Sequence, residues 1–68
     1  MSQNEMVLDY LKENGSITQA EAIECFGCYR LPSRIWDLKQ TGHKFRRTME
    51  TGLNRFGEKV TYARYALI

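Results

Sequence analysis

At Gly42 this sequence changes its hydrophobic period, and no other feature restricts its fold more tightly. Upstream, apolar residues recur three and four positions apart, the spacing that lines one face of a helix. Downstream, KFRRTMET and EKVTYARYALI read as short extended segments, and GLNRFG between them supplies the Gly and Asn residues of a hairpin tip. Helices should therefore come first and a hairpin last.

The helices are marked by their ends. Ser2-x-x-Glu5 fits a capping box, Val7, Leu8, Tyr10 and Leu11 then share one broad face, and Asn14-Gly15 is a stop signal, which predicts a first helix from about residue 3 to 14. Ser16-Ile17 reads as a short extended link. Thr18-x-x-Glu21 is a second capping box, opening a helix whose Ala22, Ile23 and Phe26 should point inward and which ends at Gly27. Leu31, Ile35 and Leu38, spaced four and three apart with Gly42 beyond them, predict a third helix from about residue 30 to 41. Pro32 falls in its first turn, where the missing N–H would have had no intrahelical partner.

The expected order is thus helix, short strand, helix, helix, hairpin: one α+β domain spanning residues 1–68. A chain of 68 residues buries only roughly 60% of the surface it exposes when unfolded, so its core is small and leaves no room for a large enclosed active site. With 43% hydrophobic and 26% charged residues the composition is that of a globular protein, and three Phe, four Tyr and one Trp supply bulky core material. MSQNEMVLDYLKENG lacks a basic n-region and an apolar h-region, and no stretch approaches the roughly 18 apolar residues of a membrane span, so the expected location is cytoplasmic and away from the membrane.

This order, with a hairpin after a helix-turn-helix, resembles the winged-helix proteins. The runs VLDYLKENGSIT, EAIECFGCYRL, SRIWDLKQTG and the RYAL ending resemble in particular the small helix-turn-helix domain proteins of bacteriophages and prophages, over nearly the whole chain. The resemblance implies that the third helix reads DNA and that the hairpin is the wing. The turn after Gly27 reads as longer than the tight bend of the simplest helix-turn-helix repressors, so base-contacting positions do not transfer by counting.

Cys25-x-x-Cys28 raises metal and redox chemistry. A structural zinc site needs four ligands, and the chain offers these two thiols and His43 before a carboxylate must be recruited. A thioredoxin-type motif belongs in a βαβ context that does not precede this one. The plainer reading makes both cysteines free, small, semi-buried side chains, one on the second helix and one in the turn, with no cofactor and no metal. His43 reads as a surface loop residue without a nucleophile or an orienting carboxylate. With no paired carboxylates and no phosphate loop, an enzyme is the least favoured class.

Charge points elsewhere. Through Tyr29 there is one base against five acids; from Arg30 onward there are nine bases against three acids, so the two parts carry −4 and +6. A half this basic should face an anion. On a wheel of the third helix, Leu31, Ile35 and Leu38 form the buried stripe, Arg34 and Lys39 flank it, and Arg30, Ser33, Trp36, Asp37 and Gln40 lie away from it. Arg30, Arg34 and Gln40 carry donors that fit guanine and adenine edges, and Ser33 and Lys39 suit phosphates; a merely solvated charged face is the bland alternative. In the hairpin, Lys44, Arg46, Arg47, Arg55, Lys59 and Arg64 form a basic set, either gripping the DNA backbone or guarding exposed strand edges from aggregation. Phe45, Met49, Val60, Tyr62 and Tyr65 are expected in the core. Trp36 is expected to fold down onto the wing or the first helix, failing which it contacts a partner.

These readings favour binding to double-stranded DNA, as a phage-type transcriptional regulator or recombination accessory factor acting as a monomer or weak homodimer. The competing class is an interaction protein using the same scaffold to bind and inhibit a host protein or nucleic-acid-handling complex. Fold alone does not separate the two.

Overall fold

Both capping boxes close as the sequence requires. In the computed structural model, which describes residues 2–68, the Ser2 hydroxyl accepts from the Glu5 N–H at 3.2 Å while the Ser2 N–H donates back to the Glu5 carboxylate, and helix α1 runs Gln3–Asn14. Thr18 and Glu21 repeat the arrangement at the start of helix α2, Gln19–Phe26. Each reciprocal pair satisfies two backbone donors that a helix start otherwise leaves without partners. Between the two helices Ser16–Thr18 forms strand β1. Helix α3 spans Leu31–Gln40 with Pro32 in its first turn, and strands β2, Phe45–Leu53, and β3, Lys59–Leu67, complete the chain.

The turn from α2 to α3 is built on Gly27. Its φ of 65° is left-handed, a conformation that glycine adopts without steric cost, and it lets the Gly27 and Cys28 N–H groups cap the Ile23 and Ala22 carbonyls. The chain then folds inward, so that Cys28 is fully buried while Cys25 on α2 is exposed. The expected pair of semi-buried cysteines is therefore corrected: the helical face puts one thiol in water, and the turn drives the other into the core.

The sheet is antiparallel in the order β1-β3-β2. Three-residue β1 pairs with the end of β3, Ile17 opposite Tyr65, while β2 pairs with β3 along its whole length, from Phe45 opposite Leu67 to Leu53 opposite Lys59. Residues directly opposite share a face, so Ile17, Phe45, Tyr65 and Leu67 meet the helices from one side. They close a core of Val7, Leu11, Ile17, Ala22, Cys28, Leu31, Ile35 and Leu38, onto which Tyr10 and Phe26 also pack edge to face, ring centroids 6.2 Å apart.

Nine-residue strands extend about 30 Å, farther than this small core reaches, and the distal hairpin projects from it. Met49 and Val60, expected in the core, are exposed for that reason, and Ile23 on α2 likewise faces outward. Within the projecting part Gly52 admits the Tyr62 ring: a Cβ at Gly52 would stand 3.2 Å from the ring. The tip is Asn54–Glu58, shorter than the GLNRFG segment read from sequence. The Asn54 side-chain oxygen accepts from the N–H groups of Phe56 and Glu58, which fixes the loop.

Candidate nucleic-acid interface

Helix α3 lies across the molecule with Leu31, Ile35 and Leu38 buried, and the rest of its circumference is available. Arg30, Pro32, Trp36, Lys39 and Gln40 are exposed, and Ser33, Arg34 and Asp37 are half-buried. The helix has no local cap. Arg30 occupies the N-cap position without a side-chain bond, and the first-turn donor is served from α2 instead: the Leu31 N–H donates to the Gln19 side-chain oxygen at 2.8 Å, and the Gln19 amide donates to the Cys28 carbonyl at 2.6 Å. A single side chain thus sets the position of α3 relative to α2, and nothing in the sequence around Arg30 signals it.

On the outward surface Arg34 and Asp37 form an ion pair at 3.3 Å, one helical turn apart. The pair neutralises the one carboxylate of α3, which removes a repulsion toward phosphate. It also commits Arg34, whose Nε is buried without a hydrogen-bond partner, so that a base contact by Arg34 requires the pair to open or to be shared. Arg30 and Lys39 have no acidic partner among the described residues and stand at opposite ends of the helix. Trp36, expected to fold down onto the wing or α1, is instead 61% exposed on the outward face.

In the hairpin the structure divides the basic set. Arg64 is not free: its guanidinium pairs with Glu50 at 2.9 Å and with Glu21 at 3.4 Å, and it donates to the Ser16 hydroxyl at 3.0 Å. The hydrogen bond to Glu50 holds its pKa above the ordinary value, against a smaller opposing effect of burial. Arg64 therefore ties β3 to β2 and α2, a structural role that its place in a basic run concealed. Lys44, Arg46, Arg47, Arg55 and Lys59 are all exposed and have no acidic partner among the described residues.

The strand period separates them further. Arg47 lies opposite Tyr65, and Lys59 opposite Leu53, on the face that nearer the body packs against the helices; Arg46 lies opposite Ala66, on the other face. Arg55 occupies the tip, and Lys44 precedes β2. Beside Arg55 stand Leu53 and Phe56, both exposed, Phe56 at 77%.

The chain thus presents an exposed helical face bracketed by free cations and a hairpin that carries exposed basic residues, which is suited to a polyanion. No helix among the described residues is long and apolar enough to cross a membrane. A family model described as a winged helix-turn-helix domain matches residues 2–68, and that description supports DNA binding as the general function. Neither the curated proteins nor the solved structures contain a significant match.

Proposed function

We propose, from the premise that this chain belongs to the winged helix-turn-helix domain family, that it binds double-stranded DNA with α3 in the major groove and the hairpin on the backbone. The observation that carries this reading is the distribution of unpaired charge. Of the nine bases from Arg30 onward, Arg34 and Arg64 are held in ion pairs, and the other seven have no acidic partner among the described residues. Two of the three acids in the same segment, Asp37 and Glu50, are those arginines' partners, so the surface is more basic than its composition indicates. In the groove Arg30, Ser33 and Gln40 face base edges and neighbouring phosphates, and Lys44, Arg47, Arg55 and Lys59 neutralise phosphates beside it.

Together with the resemblance to small phage and prophage helix-turn-helix proteins, this supports a regulator of transcription or an accessory factor in recombination, without catalysis of its own. The test is an anisotropy titration of the full chain against random and selected duplexes over a salt series. Affinity should fall with a log–log slope between about −3 and −6, since each neutralised phosphate releases roughly one counterion, and a selected site should bind more tightly than random sequence. A slope near zero would exclude DNA as the partner.

One observation favours a second reading, binding to a protein. Leu53, Phe56 and Val60 are exposed on the distal hairpin, and Leu53 and Val60 line, with Tyr62, a groove against the start of α2. Replacing Phe56 with Ser should abolish capture of a host protein under that reading and leave the salt slope on DNA unchanged under the first.

A further inference from the structure

The indole of Trp36 lies midway along the helix on the face that the proposed function puts into DNA, and it is 61% exposed. Its helical neighbours one turn away are Pro32, Ser33, Lys39 and Gln40; Pro32, Lys39 and Gln40 are themselves exposed, and Ser33 is too short to cover it. The one aromatic pair among the described residues, Tyr10 with Phe26, does not involve it. Burying the indole on binding gains from an apolar surface, and a tryptophan ring can donate a single hydrogen bond and accept none.

The major groove is lined by nitrogen and oxygen acceptors and amino donors, with one apolar substituent, the 5-methyl group of thymine. Charge on α3 assigns the rest of the face. Arg30 and Lys39 are free to take phosphates at its two ends, and the Asp37 carboxylate is neutralised by Arg34 at 3.3 Å, so no unpaired acid keeps the centre of the helix away from DNA. Beside the polar Ser33 and Gln40, the large exposed apolar side chain of this face is the tryptophan.

We infer that Trp36 is a specificity-determining residue that reads a thymine through its 5-methyl group, packing the indole against that methyl while Ser33 and Gln40 address the adjacent polar edges. The inference rests on the proposed binding of DNA by α3. It makes this protein a reader of 5-methylpyrimidine, sensitive to removal of one methyl group and indifferent to the hydrogen-bonding edge of the same base.

The experiment uses the full chain and a preferred duplex selected from a random library. Each thymine of that duplex is replaced in turn by deoxyuridine, which deletes the methyl and leaves every hydrogen-bonding group in place. At one or two positions the substitution should weaken binding about fourfold, the effect of one buried methyl-sized group. W36A should bind the thymine and uracil duplexes equally, and W36F should keep part of the difference. Trp36 is the one tryptophan of the chain, so its emission should shift to the blue on the thymine duplex and less on the uracil duplex.

If the selected duplex binds well but no uracil substitution matters, or if W36A keeps the thymine preference, the inference fails and DNA binding stands. If no duplex binds above the weak non-specific level at any salt, the proposed function fails and takes the inference with it. Because Trp36 is mostly in solvent, W36A should fold, which an unchanged thermal transition verifies.

Discussion

The Leu31 N–H and the Gln19 side-chain oxygen lie 2.8 Å apart, so the start of helix α3 is capped by a residue of helix α2. The same amide holds the Cys28 carbonyl, and the turn between the helices is clamped at two points. Gln19→Ala leaves both backbone groups without their partner in a part-buried site, and the protein should lose about 1–3 kcal/mol of stability in urea titrations. Because the clamp orients the DNA-facing helix, selected-site affinity should fall more than random-site affinity. A variant as stable as the parent would show that water replaces the amide at no cost.

The two cysteines should behave as different residues. Cys28 is fully buried in the core, and serine there introduces a hydroxyl with no partner, at about 1–3 kcal/mol. Cys25 is exposed, and Cys25→Ser should change stability by less than about 0.5 kcal/mol. Thiol titration of the folded protein should find one fast-reacting group, and unfolding should release the second. Two equally fast thiols would contradict the burial of Cys28.

In the wing the cations should separate by face. Arg47→Ala and Arg55→Ala should each lower the salt slope of DNA binding by about 1 and weaken all duplexes alike. Arg46→Ala, on the opposite face of the ribbon, should leave the slope unchanged. Arg64→Ala should also leave it unchanged, yet cost about 1 kcal/mol of stability, because its partners are Glu50, Glu21 and Ser16. Equal slopes for Arg46 and Arg47 variants would mean that the duplex wraps the hairpin or meets its edge.

At the first helix, Glu5 titrates below its ordinary value of 4.5, held there first by the Ser2 N–H and then by the Ser2 hydroxyl. A carboxylate with a depressed folded-state pKa contributes stability above its unfolded value and loses it as pH falls through the folded one. The contribution of this cap should therefore be complete at neutral pH and disappear in acid below about 4.5. NMR titration should show Ser2→Ala moving the Glu5 midpoint only part of the way back, since the backbone donor remains.

What the sequence determined by itself was the set of local elements. The two capping boxes, the glycine stops, the three-and-four spacing of Leu31, Ile35 and Leu38 and the change of period after Gly42 are short-range signals, each complete within a few residues, and helix boundaries follow from them to within about a residue and strand boundaries to within about two. The basic second half was equally legible, because net charge is additive along a chain. Tertiary structure alone decided which of those charges are available. Arg64 is withdrawn by Glu21, 43 residues away, and α3 is capped by Gln19, 12 residues away, and neither distance leaves a mark on local pattern. Burial of some apolar residues also lay beyond local reading: Met49, Val60 and Trp36 are apolar like the core residues, but a core built by 68 residues is too small to reach the distal hairpin or wrap the outer face of α3. Hydrophobicity measures the gain available on burial, while the surface that could provide it exists only once the elements have packed.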